Sequence, residues 1–304
     1  MTDPDGVVLS VVVVNYRGAG LLAACLTALA EQTLPRHRYE VVVVENASAD
    51  GSSQLVRDRF PWVRLVESPV NLGFAAGNNL GVRHARGRWV ALLNNDPVAD
   101  PFWLEESLRH LHGPAAAAVA KLVYARNPAV LNSAGLTLLR DGRGADRGFG
   151  HADGGQCERT EPVFAGCGAA LIVPRPAGGG DLFDPRYFLY YEDLELGWRR
   201  RRVGLVTTYA PRSLVRHAVS ASAGEASPLF RFCVERNRAL TSLRHGDPVL
   251  AFAAALTLAA KVAVAWLHAA RTRDFGTARA TTAAACSYAR HAPATLLKRW
   301  GGAS

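Results

Sequence analysis

Four short apolar runs, each followed by a polar loop, constrain this chain more than any other feature. Residues 7–15, 39–45, 63–67 and 89–93 are apolar with little alternation, and the first two carry unbroken valine stretches. Such runs are the mark of strands buried on both faces of a parallel sheet. Between them, residues 18–32 read as a helix with Leu21, Leu22, Cys25, Leu26 and Leu29 on one side, and residues 74–85 have helical composition. Strand and helix in alternation predict a doubly wound sheet with right-handed crossovers. Ligands of such sheets bind beyond the carboxyl ends of the strands.

The residues at those ends are Asn15-Tyr16-Arg17, Glu45-Asn46-Ala47-Ser48-Ala49-Asp50-Gly51 and Asn94-Asn95-Asp96-Pro97. Turn and cap chemistry explains any one such loop. Three on one edge point to a ligand site. A P-loop is excluded, because no GxxxxGK[ST] occurs, and no GxSxG elbow is present. Gly166-Cys167-Gly168 lacks a third glycine and runs on into apolar residues 169–173, so it is no dinucleotide fingerprint. Five scattered cysteines without a CxxC pair argue against a disulfide framework or a zinc module, and His151, Cys157 and Cys167 have no metal spacing. With no basic-then-apolar leader visible, a reduced cytoplasmic setting is expected.

Further along, residues 102–112 and 228–244 read as helices, and residues 115–124, 163–173 and 203–209 as strands. Residues 140–155 form a Gly- and Arg-rich loop expected to be mobile. Residues 187–202 read as a helix with Glu192, Asp193 and Glu195 first and Arg199 to Arg202 last, an order that suits the helix dipole.

The net charge of +9 is concentrated in residues 249–304, where seven basic side chains meet one acid. A basic body would suggest nucleic acid, whereas a basic apolar tail suggests an anionic membrane surface. Residues 249–270 are apolar and roughly 33 Å long as a helix, enough to span a bilayer. Lys261 sits at the middle, costing about 3 kcal/mol to insert. Spanning, packing on the body and lying in the interface all stay open. Interfacial attachment is favoured, because a second amphipathic stretch with Arg279, Arg290, Lys298 and Arg299 follows.

Asp96 and Glu192-Asp193 are the acids that chemistry would use. Transfer from a nucleoside diphosphate needs one carboxylate to hold a divalent cation against the leaving group. It needs another to take a proton from the attacking hydroxyl. A glycosidase also wants two carboxylates, but not a nucleotide pocket.

Seven motifs then occur in order: Ser10–Tyr16, Glu45–Ser52, Asn71–Asn79, Leu92–Asp96, Gly166–Ala170, Phe183-Asp184 and Tyr190–Leu196. Together they make the chain resemble the family 2 inverting glycosyltransferases, in the bacterial branch of rhamnosyltransferases and galactofuranosyltransferases. The resemblance implies a GT-A (Rossmann-like) α/β fold: a mostly parallel sheet flanked by helices, with a C-terminal helical tail. It implies a catalytic domain over 1–246, with a nucleotide-sugar half at 1–98 and an acceptor half at 99–246, and a tail at 247–304.

By position, Glu45 would contact the base or ribose, with Asn15 and Arg17 in the same pocket and Asn95 beside it. Asn71, Gly73 and Phe74 would close over the nucleotide sugar, with Asn78 nearby. Asp96 and His217 would hold Mg²⁺ or Mn²⁺. Asp193 would be the general base, next to Glu192. An ordinary loop histidine and a core phenylalanine are the competing readings of His217 and Phe74. Asn94, where the family's metal signature has its first acid, leaves the metal with fewer charged ligands. Glu45 and Glu195 each replace an aspartate.

The resemblance also implies a nucleoside-diphosphate sugar donor, rhamnose-like, and a cell-envelope or lipid-linked glycan acceptor at the cytoplasmic membrane face. A soluble natural-product acceptor and a catalytically silent nucleotide-sugar-binding partner are the alternatives. Nucleic acid is not expected as a partner.

Overall fold

The computed structural model describes residues 6–113, 116–218 and 227–300. The amino-terminal half runs β1 (Leu9–Asn15), α1 (Ala19–Ala30), β2 (Tyr39–Glu45), α2 (Ser52–Arg59), β3 (Arg64–Glu67), α3 (Gly73–His84) and β4 (Trp89–Leu93). Next come β5 (Pro97–Ala99), α4 (Trp103–Leu108), β6 (Ala117–Tyr124), β7 (Asn127–Ser133), β8 (Leu136–Leu138) and β9 (Gly144–Asp146). Then follow β10 (Glu161–Val163), β11 (Ala170–Pro174), α5 (Glu192–Arg202), β12 (Thr207–His217), α6 (Pro228–His245), α7 (Pro248–Thr272) and α8 (Gly276–Trp300).

The main sheet has the order β10-β12-β6-β11-β4-β1-β2-β3, with β5 on β12 and β7 on β6. Strands β1 to β4 are mutually parallel, while β11 enters antiparallel between β4 and β6. The sheet is therefore mixed, with a parallel nucleus. Alternate residues of β1 serve two cores: Val11 and Val13 pack with Leu22, Leu26 and Leu29 of α1, and Val12 packs with Ala75 and Val82 of α3. Both faces are covered, which is why these strands read as unbroken apolar runs. Leu21, expected on the buried side of α1, is exposed. Gly81 lets α3 lie close to the sheet, since a Cβ there would sit 2.3 Å from Val12 Cγ1.

Several boundaries differ from the sequence reading. The helix expected from 187 starts at Glu192, because Phe188, Tyr190 and Tyr191 take positive φ. The strand expected at 203–209 becomes Thr207–His217, after a left-handed Gly204 ends the turn that follows α5. The strand expected at 163–173 splits, leaving 164–169 as a connection. The stretch 140–155, expected to be a mobile loop, contains β9, which pairs with β8, and it is tied by Leu131 N–H to His151 O at 2.9 Å. The expected strand start at 115 lies outside the described residues.

Helices α6, α7 and α8 pack together. One face of α7 (Ala251, Ala254, Leu258, Ala265, Ala269) is buried, and the other exposes Val249, Phe252, Leu256, Val264 and Leu267. Lys261, at the middle of this apolar stretch, is paired with Glu235 of α6 at 2.6 and 2.7 Å. Two of the tail's basic residues also bond the body: Lys298 reaches Asp184 at 3.2 Å, and Arg299 donates to Leu243 O at 2.7 Å.

Candidate active site

Parallel register sets Asn15 of β1 beside Glu45 of β2. Asn15 Nδ2 donates to Glu45 Oε2 at 2.8 Å, and Asn95 Nδ2 donates to Asn15 Oδ1 at 2.7 Å. Glu45 also accepts from Ser48 N–H at 2.8 Å and Ser52 Oγ at 2.5 Å. The buried Glu45 carboxylate thus organises the loop after β2. Arg17 is exposed at φ 53°, its N–H bonded to Ser48 Oγ at 2.9 Å.

Asn46 holds the next loop. Its Nδ2 donates to Asn71 Oδ1 at 3.0 Å and Gly73 O at 3.1 Å, and its Oδ1 accepts from Leu72 N–H at 2.8 Å. Gly73 has φ +73°, and a Cβ there would lie 2.5 Å from Phe188. Asn78 is buried, donating to Phe74 O at 2.9 Å, and its Oδ1 has no hydrogen-bond partner among the described residues.

Beyond the strand ends lies a cleft of about 420 Å³. Phe74, Asn94, Glu192, Asp193 and His217 are among its walls, together with Asp146, Tyr190, Tyr191 and Phe230. Of the expected site residues, Asn15, Arg17, Glu45, Asn71, Gly73, Asn78, Asn95 and Asp96 stand outside those walls. Antiparallel pairing of β12 with β5 places His217 opposite Pro97, hence next to Asp96. His217 Nε2 lies 3.1 Å from Asp96 Oδ1, and Nδ1 lies 2.8 Å from Asn132 Oδ1. With Nδ1–H donated to Asn132, Nε2 turns its lone pair toward a carboxylate. A shared proton or a cation satisfies that arrangement. No cluster of three acid, His or Cys ligands occurs among the described residues. The carboxylate of Asp96 and the imidazole of His217 are two donors that would suit a Mg²⁺- or Mn²⁺-type ion, with the remaining ligands left to a substrate or solvent.

On the opposite wall, Asp193 Oδ2 accepts from Gly168 N–H at 3.0 Å, and Oδ1 accepts from Leu194 N–H at 2.7 Å. Burial raises the Asp193 carboxyl and these two bonds oppose the rise, so the helix terminus alone does not set its ionisation. Burial and the neighbouring Asp193 charge hold Glu192 well above the usual carboxylate range. Both carboxyls of the pair are thus held above their usual range, Glu192 without the two N–H bonds that favour the Asp193 carboxylate. Burial also pushes Asp146 up to about 6, against a hydrogen bond from Ser133.

The loop before Asp193 is clasped from α6. Buried Asn237 donates through Nδ2 to the carbonyls of Tyr187 (2.9 Å), Leu189 (2.9 Å) and Tyr190 (2.7 Å), and Arg236 donates to Arg186 and Tyr187. Phe188 O in turn accepts from Phe74 N–H at 2.6 Å and Ala75 N–H at 3.1 Å. One loop therefore joins the Gly73-Phe74 turn to the acid pair. Asp146, Asn132, Asn46 and Asn237 escaped the sequence reading. For Asn237 the only signal was a polar residue amid an apolar helix face.

The sequence model described as Glycosyl transferase family 2 matches residues 10–170, more than half of the chain. The chain belongs to glycosyl transferase family 2. This glycosyltransferase is 30% identical over 248 residues to the N-acetylglucosaminyl-diphospho-decaprenol L-rhamnosyltransferase of Mycobacterium tuberculosis, covering 74% of this chain and 79% of the relative. The O-antigen biosynthesis protein RfbC of Myxococcus xanthus is 28% identical over 225 residues, covering 68% of this chain and 17% of that one. Among solved structures, the mannosyltransferase PcManGT of Pyrobaculum calidifontis, in complex with GDP-Man and Mn²⁺, has a TM-score of 0.55 at 20% identity, covering 97% and 88% of the two chains. GalNAc-T7 with UDP, GalNAc and Mn²⁺ has a TM-score of 0.62 at 14% identity, covering 81% of this chain and 49% of the other. At those identities the structural likeness is one of fold, the GT-A type.

Proposed function

We propose that this glycosyltransferase is inverting, moving a rhamnose-like sugar from a nucleoside diphosphate to a hydroxyl of a cell-envelope or lipid-linked glycan. The observation that carries the reading is a cleft with Asp193, held by two N–H groups, on one wall and the Asp96–His217 pair behind another. The acceptor hydroxyl oxygen bonds to the anomeric carbon while Asp193 takes its proton. The bond from that carbon to the diphosphate breaks with its electron pair leaving on the diphosphate. A single displacement turns an α-linked donor into a β-type product. The two N–H bonds to Asp193 favour its charged form over that of the adjacent Glu192. Asp96 and His217 would hold a divalent cation, which would neutralise charge on the leaving diphosphate.

In this reading residues 1–98 bind the nucleotide sugar through Asn15, Arg17, Glu45, Asn71, Gly73, Phe74, Asn78 and Asn95, and residues 99–246 face the acceptor. The similarity to a rhamnosyltransferase acting on a decaprenyl diphosphate sugar supports a rhamnose donor and a lipid-linked acceptor. The tail supports attachment to the cytoplasmic membrane face: α7 is long and apolar enough to cross a membrane, yet Lys261 is spent on Glu235 and one face packs on the body. An interfacial position suits that geometry.

Calorimetric titration with a panel of sugar nucleotides, with and without Mn²⁺, tests the reading. Tight binding of one donor that weakens without metal, and in His217→Ala, is the expected result. Wild-type protein that binds no sugar nucleotide would overturn it.

A further inference from the structure

One acid in the cleft has no part in the reaction above. Asp146 closes β9, paired through the main chain with Leu136 of β8. Alternate residues of a strand share a face, and here Gly144 and Asp146 line the cleft while Ala145 does not. The next residue is anchored on both sides: Arg147 N–H donates to Gly135 O and Ala134 N–H donates to Arg147 O, each at 2.9 Å. The side chain is thus presented by a fixed strand. Its Oδ1 is buried and has no hydrogen-bond partner among the described residues.

An unpartnered buried carboxylate oxygen is costly, on the order of 1–3 kcal/mol or more, unless a ligand completes it. Among the described residues Glu192 Oε2, on the same cleft, is a second buried orphan, whereas Trp103 Nε1 and Ser242 Oγ do not line it. Around Asp146 the walls are largely apolar and aromatic, with Phe74, Leu136, Tyr190, Tyr191 and Phe230. A few acceptors set among such surfaces, Asp146 here beside Glu192 and Asp193, are how a pocket orients a sugar, stacking its carbon face and bonding its hydroxyls.

We propose that Asp146 accepts a hydrogen bond from a hydroxyl of a substrate sugar in the cleft and so helps to fix which sugar is used. The proposal rests on the glycosyl-transfer reading and extends it to a residue outside the sequence motifs. The hydroxyl belongs either to the transferred sugar or to the acceptor sugar, and the two sources separate experimentally.

The test compares wild type with Asp146→Asn, with Asp146→Ser as a second variant should the first unfold. Calorimetry on the full chain with Mn²⁺ gives Kd for each nucleoside-diphosphate sugar of a panel and for the matching free nucleoside diphosphates. Transfer assays give KM for polyprenyl-diphosphate N-acetylglucosamine as acceptor. If the donor sugar is the partner, the sugar-nucleotide Kd rises about tenfold or more and the free nucleotide Kd stays unchanged. If the acceptor is the partner, its KM rises by a similar factor at unchanged donor Kd. Donor Kd and acceptor KM both within twofold of wild type would overturn the proposal, as would equal weakening of free nucleotide and sugar nucleotide. Should wild type transfer nothing to that acceptor, the donor comparison decides alone. Wild type that binds no sugar nucleotide defeats the glycosyl-transfer reading and the proposal with it, whereas donor Kd and acceptor KM that both ignore Asp146 defeat the proposal alone.

Discussion

Replacing Asn237 by alanine should loosen the acid pair without touching it. Asn237 Nδ2 faces three carbonyls at 2.7 to 2.9 Å. An amide nitrogen has two hydrogens, so two bonds are formed at full strength and the third is shared. At about 1 kcal/mol net for each bond, with buried carbonyls left without a donor, Asn237→Ala should lose about 2–3 kcal/mol of stability. The loss falls on a loop with three left-handed non-glycine residues, whose backbone strain the clasp offsets. Urea unfolding of the full chain reads the change as a lower midpoint at unchanged slope. The turnover number should fall by about tenfold to a hundredfold, because small displacements of a catalytic group are costly, while donor Kd stays near wild type. Asn237→Asp, which sets a carboxylate against three carbonyls, should be worse. A loss below about 0.5 kcal/mol with full turnover would refute the clasp.

Two further predictions follow from the same geometry. Glu192 is protonated in the folded state at pH values where the unfolded chain, titrating near 4.3, has released the proton. Its contribution to stability is therefore full below that value and is lost as pH rises through the raised native value. Glu192→Gln should flatten the decline of the urea midpoint as pH rises above the unfolded value, and profiles that stay parallel would contradict this. In the tail, Phe252→Glu with Leu256→Glu puts charge on the exposed face of α7. Cosedimentation with anionic vesicles should drop severalfold while sugar-nucleotide binding is retained, and undiminished cosedimentation would remove α7 from the membrane contact.

The parallel nucleus was legible because β1, β2 and β4 are buried on both faces, which leaves unbroken apolar runs whose ends mark the ligand edge. Asp193 was legible because it opens a helix in a recognisable motif. The bend that aims it was not. Phe188, Tyr190 and Tyr191 take left-handed backbone only because Arg236 and Asn237, some fifty residues on, capture the carbonyls there. Nothing local in an aromatic run announces that conformation. Strand β12 was read too short, since its register shifts between Ala210 and Leu214 and its later half carries Arg212 and Arg216. Asp146 was hidden in a Gly- and Arg-rich segment that pairs into β9 through the main chain. Lys261 read as an isolated charge in an apolar stretch, and the packing of α7 on α6 supplies Glu235 as its partner.

Transfer by Asp193→Asn tests the central claim most directly. The carboxamide keeps the shape of the side chain but cannot take the acceptor proton, so single-turnover transfer should be abolished while calorimetric donor Kd stays within about threefold of wild type. Near-wild-type transfer by Asp193→Asn would show that Asp193 is not the base.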